Sequence, residues 1–135
     1  MRKLQHAAAI LACATLPALA AAKPPLRDVP QVDNGLFAVA VANEIRKTCP
    51  DISARMFTAW RFAQSLEAKA KAMGYTDAEI EAHLDSDAEK ARMKARGAAY
   101  FKANGVSRGD PQGMCALGRA EIQKSSQIGA LLKAK

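Results

Sequence analysis

Seven residues, Ile52, Met56, Ala59, Ala63, Leu66, Ala70 and Met73, recur at alternating steps of four and three. That spacing puts one apolar row on a helix lying along another helix. It predicts a helix over residues 52–73, with Asp51 as its cap and Gly74 as its terminator. No segment sustains the period-two alternation of a half-buried strand, so no sheet is expected. The fold class follows: all-α, a small single-domain helical bundle of about five helices.

The other helices read by the same rules. Residues 35–49 repeat apolar positions at Phe37, Ala38, Val41, Ala42, Ile45 and Cys49, with Asp33 or Asn34 to cap them and Pro50 to stop them. Thr76 with Glu79, and Ser86 with Glu89, are two capping boxes in series. They predict a short helix over 77–85 and a longer one over 87–103, unless the two merge into one bent helix. Ala88, Ala91, Ala95 and Ala98 form a stripe that lets a neighbour approach, while Lys90, Arg92, Lys94 and Arg96 read as a solvated face. The last helix starts at Asp110-Pro111, a cap followed by proline at the first helical position. Its seam of Cys115, Gly118, Ile122, Ser125, Gly129 and Leu132 is mostly small, which suits close packing against bulky partners such as the row on residues 52–73.

The N-terminus carries an address. Arg2 and Lys3 precede an uncharged run from Ala7 to Ala20, and Ala20-Ala21-Ala22 satisfies a small-residue cleavage pattern. This is the layout of a secretory signal peptide over residues 1–22, and the run is shorter than the ~20 residues of a membrane-spanning helix. Cleavage after Ala20 is the alternative. Cys13, in ILAC, loosely resembles a lipoprotein signal, but the apolar run before it is very short. Residues 23–33, with Pro24, Pro25 and Pro30, read as an extended arm, and residues 34–135 as the helical domain. The expected location is the periplasm. Loss of Arg2 and Lys3 lowers the formal charge from +7 to about +5. That allows weak attraction to an anionic membrane surface. No nucleic-acid motif is present, and an exported protein has no nucleic acid to meet.

Two cysteines remain after such cleavage, Cys49 and Cys115. Each lies on an apolar helix face near a loop, and an oxidising compartment favours their pairing. The bridge closes a loop of roughly 67 residues, for which the chain-entropy argument gives about 4 kcal/mol. Competing chemistries lack ingredients. A nucleophilic cysteine wants a base, and the only histidine beyond residue 22 is His83. Structural zinc wants four Cys or His ligands, and a c-type haem wants C-x-x-C-H. His83 with Glu79 and Asp87 reads as a solvated helix surface. The expectation is no catalytic residue, no metal and no cofactor: a non-enzyme.

The strings PPLRDVP, IRKTCPDISARM, GYTDAEI, SDAEKARMKARG and CALGRAEIQKSSQIGALL resemble a family of short secreted bacterial helical proteins of unknown function, over nearly the whole chain beyond residue 22. Its two cysteines sit where this chain has Cys49 and Cys115. Some members of that family bear the name of a respiratory NADH dehydrogenase component. The true component of that name resembles thioredoxin and holds a two-iron cluster on four cysteines, which two cysteines cannot reproduce. The resemblance instead implies an accessory or assembly protein on the periplasmic side of a respiratory membrane complex.

The functional expectation is therefore an interaction or accessory protein that works through its surface on a protein partner. Phe57 lies off the main row and Trp60 at its edge, so either they pack against another helix or, with the arm at Pro24, Pro25 and Pro30, they form the candidate partner surface. The alternatives are a periplasmic stress chaperone, or a small-ligand or lipid carrier using a groove along Gly118 to Gly129.

Overall fold

The first long helix begins at Pro30, in a computed structural model that describes residues 22–135. The elements are α1 (Pro30–Thr48), β1 (Ile52–Ala54), α2 (Met56–Ala72), α3 (Asp77–Asp85), α4 (Asp87–Ala103), α5 (Pro111–Gln123), α6 (Gln127–Ala130) and β2 (Leu132–Ala134). The chain is an all-α bundle with one small strand pair. The signal-peptide expectation and Cys13 fall on residues 1–22, which apart from Ala22 lie outside the described residues.

The arm is shorter than its prolines suggested. Pro30 has no amide hydrogen to lose at the first helical position, so it opens α1 instead of holding it off. Before it, Leu26–Asp28 form a 3₁₀ turn, and Leu26 and Val29 are buried. Val29, not Asp33 or Asn34, is the capping position. Asp33 is one turn inside the helix and turned toward α4.

The helix over residues 52–73 also starts later. Ile52–Ala54 pair antiparallel with Leu132–Ala134 in the register Ile52↔Ala134, Ser53↔Lys133, Ala54↔Leu132. Three residues on each side are too few for a period to show, which is why the strands escape a reading by alternation. The Arg55 amide donates to the Leu131 carbonyl at 2.8 Å, and its Nε to the Leu132 carbonyl at 3.0 Å, so the C-terminus is fastened to the start of α2. The row on α2 is correspondingly shifted. Leu66 and Ala70 are buried and Ala59 and Phe62 half-buried, while Met56, Ala63 and Met73 are exposed. At the other end Gly74, at φ +91°, lets the Tyr75 amide reach back to the Ala70 carbonyl and close the helix.

α3 and α4 are separate helices. Thr76 and Glu79 cap each other's backbone reciprocally. Ser86 accepts from the Glu89 amide, but the Glu89 side chain turns away to Arg92 and Arg27, so the second box is only half formed. The alanine stripe of α4 is solvent-exposed, and it is Gly97 and Phe101 that pack inward. Lys90 and Lys94 are solvated; Arg92 and Arg96 are half-buried, because Asp33 faces them.

The main core lies where α1, α5, α6 and the strand pair meet. Ile45, Ile52, Met114 and Leu132 are its most buried side chains. Cys49 and Cys115 form a disulfide there, Cα–Cα 5.1 Å, tying the end of α1 to the start of α5. A Cβ on Gly118 would collide with Ile52 and Ile45, so its bulky partners come from α1 and β1, not from α2. α5 ends at Gln123, and Gly129 lies on α6 with its Cα against the Glu121 carbonyl and Ile122 amide. At Gly118 and Gly129 the small-residue face is thus filled from within.

Candidate interaction surface

A smaller apolar cluster sits at the opposite end of α1, where Leu26, Val29, Val32, Ala70 and Tyr75 are buried. The arm is held to it by Tyr75, whose hydroxyl donates to the Pro24 carbonyl, and by Lys23. Lys23 donates to the Gly74 carbonyl at 2.6 Å and pairs with Glu79 at 2.8 Å. Its ammonium stands 5.0 Å from the Tyr75 ring centroid.

Above this cluster α1, α2 and α3 diverge and leave an apolar cavity of about 360 Å³. Leu36 and Val39 of α1 form its floor, Ala63 and Leu66 of α2 one wall, and Ile80 and Leu84 of α3 the other. Trp60 stands at its rim. A second hollow of about 280 Å³ shares Leu36, Val39, His83 and Leu84 and continues the groove to Met93 on α4. Leu84 is 49 % exposed. Trp60, Ala63 and Leu66 were singled out in the sequence, but Leu36, Val39, Ile80, Leu84 and Met93 were not. The available signal was a second apolar row on α1, Leu36, Val39 and Ala40, off the row that faces the core, together with the Ile80–Leu84 pair on an otherwise polar α3.

The α4 side of the groove is built from ions. Arg92 pairs with Asp33 and, at 2.9 Å, with Glu89; Arg96 pairs with Asp33 at 2.7 Å; Arg27 pairs with Glu89. Asp33 and Glu89 are only 7 % and 8 % exposed, so each buried carboxylate depends on its guanidinium partners. The hydrogen bond from Arg92, reinforced by Arg27, holds the Glu89 carboxyl below the ordinary carboxylate range. Arg96 also donates to Asn34 at 2.7 Å and lies over the Phe37 ring at 4.1 Å. A third buried acid, Glu121, anchors the C-terminal turn. Burial pushes its carboxyl up, but hydrogen bonds from Lys124, Ser126 and Tyr100 more than offset this and leave it below the ordinary range. The Tyr100 hydroxyl, 2.6 Å from Glu121, is raised by its burial and by that carboxylate.

The candidate partner residues do not converge. Phe57 and Trp60 are 68 % and 56 % exposed on the N-terminal half of α2, ring centroids 5.9 Å apart. Pro24 and Pro25 are exposed beside Tyr75, past the other end of α2, and Pro30 is exposed at the start of α1. α2 runs from Met56 to Ala72, so about 18 Å of helix lies between Trp60 and the end beside the arm. His83 is half-buried and lines the groove. Cys49, Asp51 and Cys115 are the three metal-ligating groups that lie together among the described residues. Their sulfurs are bonded to each other, and Asp51 faces Arg119 at 3.3 Å.

Fold and surface together define a small disulfide-linked helical protein with an open apolar groove. A family model matches residues 24–133, and the chain belongs to that family, a family of unknown function (DUF5333). A search of curated proteins and a search of solved structures each returned no match.

Proposed function

We propose that the chain is an exported, non-enzymatic interaction protein whose groove between α1, α2 and α3 receives an apolar helix face of a protein partner in the cell envelope. The observation that carries this is the 360 Å³ apolar cavity left open between helices that otherwise pack closely. An amphipathic helix offers side chains at i, i+3 or i+4 and i+7, the repeat such a groove accepts. Export is supported by the layout of residues 1–22 and by the disulfide, which belongs to oxidising compartments. Among the described residues both thiols are spent in that bond, and the buried carboxylates are each held by cations or hydroxyls. An accessory role at a respiratory membrane complex is the partner context the family resemblance implies.

The test is site-specific photo-crosslinking in intact cells. A photoreactive residue at Ala63 or Leu84 captures one discrete partner, and one at Ala116, exposed on α5, does not. Ala63→Arg, which fills the groove from an exposed position, abolishes the adduct at Leu84. Equal capture from all three sites would sink the proposal.

The cavity volume also fits a small apolar ligand, since such sites start at about 300 Å³. Native mass spectrometry separates the two readings. A carrier retains a bound mass that Ala63→Arg removes, and a partner-binding groove is recovered without one.

A further inference from the structure

We propose that the N-terminal half of α2 seats this protein on an anionic phospholipid surface, with Met56, Phe57 and Trp60 entering the headgroup layer and Arg55, Arg61 and Lys133 meeting its phosphates. This contact shares Trp60 with the rim of the groove and goes beyond the groove's occupancy. Met56, at 70 % exposed, Phe57 and Trp60 are the three most exposed large apolar side chains among the described residues, and they are neighbours on one helix. They stand exposed on the N-terminal half of α2. A protein partner would need a matching hollow for such a point. A bilayer interface needs none, and it favours aromatic side chains that are apolar and carry a polar edge.

The charge around them has one sign. Residues 52–66 contain Arg55 and Arg61 and no acid. Lys133 joins them because β2 pairs Lys133 with Ser53, two residues before Arg55. The bounding acids are occupied: Asp51 faces Arg119 at 3.3 Å, and Glu67 pairs with Lys71 at 2.7 Å. The Arg61 guanidinium lies 5.8 Å from the Phe57 ring centroid, so cation and aromatic reach the same depth. Aromatic insertion and basic residues beside it act together in interfacial binding, each basic group near an anionic surface strengthening it about fivefold.

Trp60 is the single tryptophan of the chain, so its fluorescence reports this end of α2. The test uses the protein as purified from the cells that make it, and vesicles of phosphatidylcholine with or without phosphatidylglycerol. Phosphatidylglycerol vesicles should blue-shift the Trp60 emission and carry the protein down on sedimentation. Pure phosphatidylcholine should do neither, and 0.5 M salt should release the protein. Arg61→Glu with Lys133→Glu should weaken partitioning at least tenfold, and Phe57→Ser should weaken it without altering the circular dichroism. All three residues are solvent-exposed, so their loss leaves the fold standing. Emission unmoved by phosphatidylglycerol overturns the proposal, as does a shift indifferent to lipid charge. A response to polyglutamate but not to vesicles also overturns it, in favour of an acidic protein partner.

Discussion

The two ends of α1 are built on opposite principles. At its C-terminal end Ile45, Met114, Ile52 and Leu132 interlock, Gly118 lets α5 come within reach of two isoleucines, and Cys49–Cys115 closes the assembly. At its N-terminal end a handful of apolar side chains is shared between the arm, α1 and α2, and the flank is completed by Asp33, Glu89 and three arginines. The first end gains from dry contact and resists any change of volume. The second leaves apolar area in contact with water and depends on charge, the arrangement expected where a surface must open to something else. One helix thus carries a stable anchor and an accessible site, and the anchor allows the site to stay open.

The largest effect that could break this comparison is loss of the disulfide. Cys49→Ala with Cys115→Ala should cost about 4 kcal/mol, lowering the urea midpoint by roughly 2 M. A loss under about 1 kcal/mol would show that the interlocked core suffices by itself. Next come matched truncations. Ile45→Ala should cost about 4 kcal/mol and Leu26→Ala about 2 kcal/mol, because the groove already gives the chain around Leu26 room to relax. Equal costs measured by denaturant titration would erase the difference between the ends.

Arg92→Met sharpens the ionic side. It leaves Asp33 to Arg96 and Glu89 to Arg27 and should cost about 2 kcal/mol, a figure already reduced for the partial exposure of the guanidinium. Its pH signature is more specific. Glu89 and Glu121 are held below the ordinary value of 4.5 in the folded chain, so their contribution is complete above that value and is lost as pH falls through the folded values. Wild-type stability should therefore fall between about pH 5 and 3, and Arg92→Met should lose less over that window. Urea midpoints at the two pH values decide it. The smallest effect is expected from Met56→Ser and Phe57→Ser, each within about 0.5 kcal/mol of wild type by thermal unfolding, since neither is buried. A loss above 1 kcal/mol would return them to the core.

Much of this was legible in the chain. α3 and α4 run over residues 77–85 and 87–103, as Thr76, Ser86 and the Asn104-Gly105 stop imply, and α5 opens at Asp110-Pro111. The bundle class and the Cys49–Cys115 bond were also readable. Less legible was which apolar row meets a neighbour. Met56 and Ala63 fit the row on α2 as well as Leu66 does, yet only Leu66 finds a partner, the bare Cα of Gly35. Arg92 and Arg96 are no different in sequence from Lys90 and Lys94, and only the position of Asp33, some sixty residues earlier, separates them.

By itself the sequence determined part of the local structure: the bounds of α3 and α4, the opening of α5, and which cysteines were there to join. Those depend on backbone hydrogen bonds, caps and spacings that act within a turn or two. Only the tertiary structure decided the Ile52–Ala54 pairing with Leu132–Ala134, the burial of Asp33, and the groove over Leu36 and Val39. Each of these depends on what a distant segment places opposite, and burial is a property of the pair of surfaces, not of either one alone.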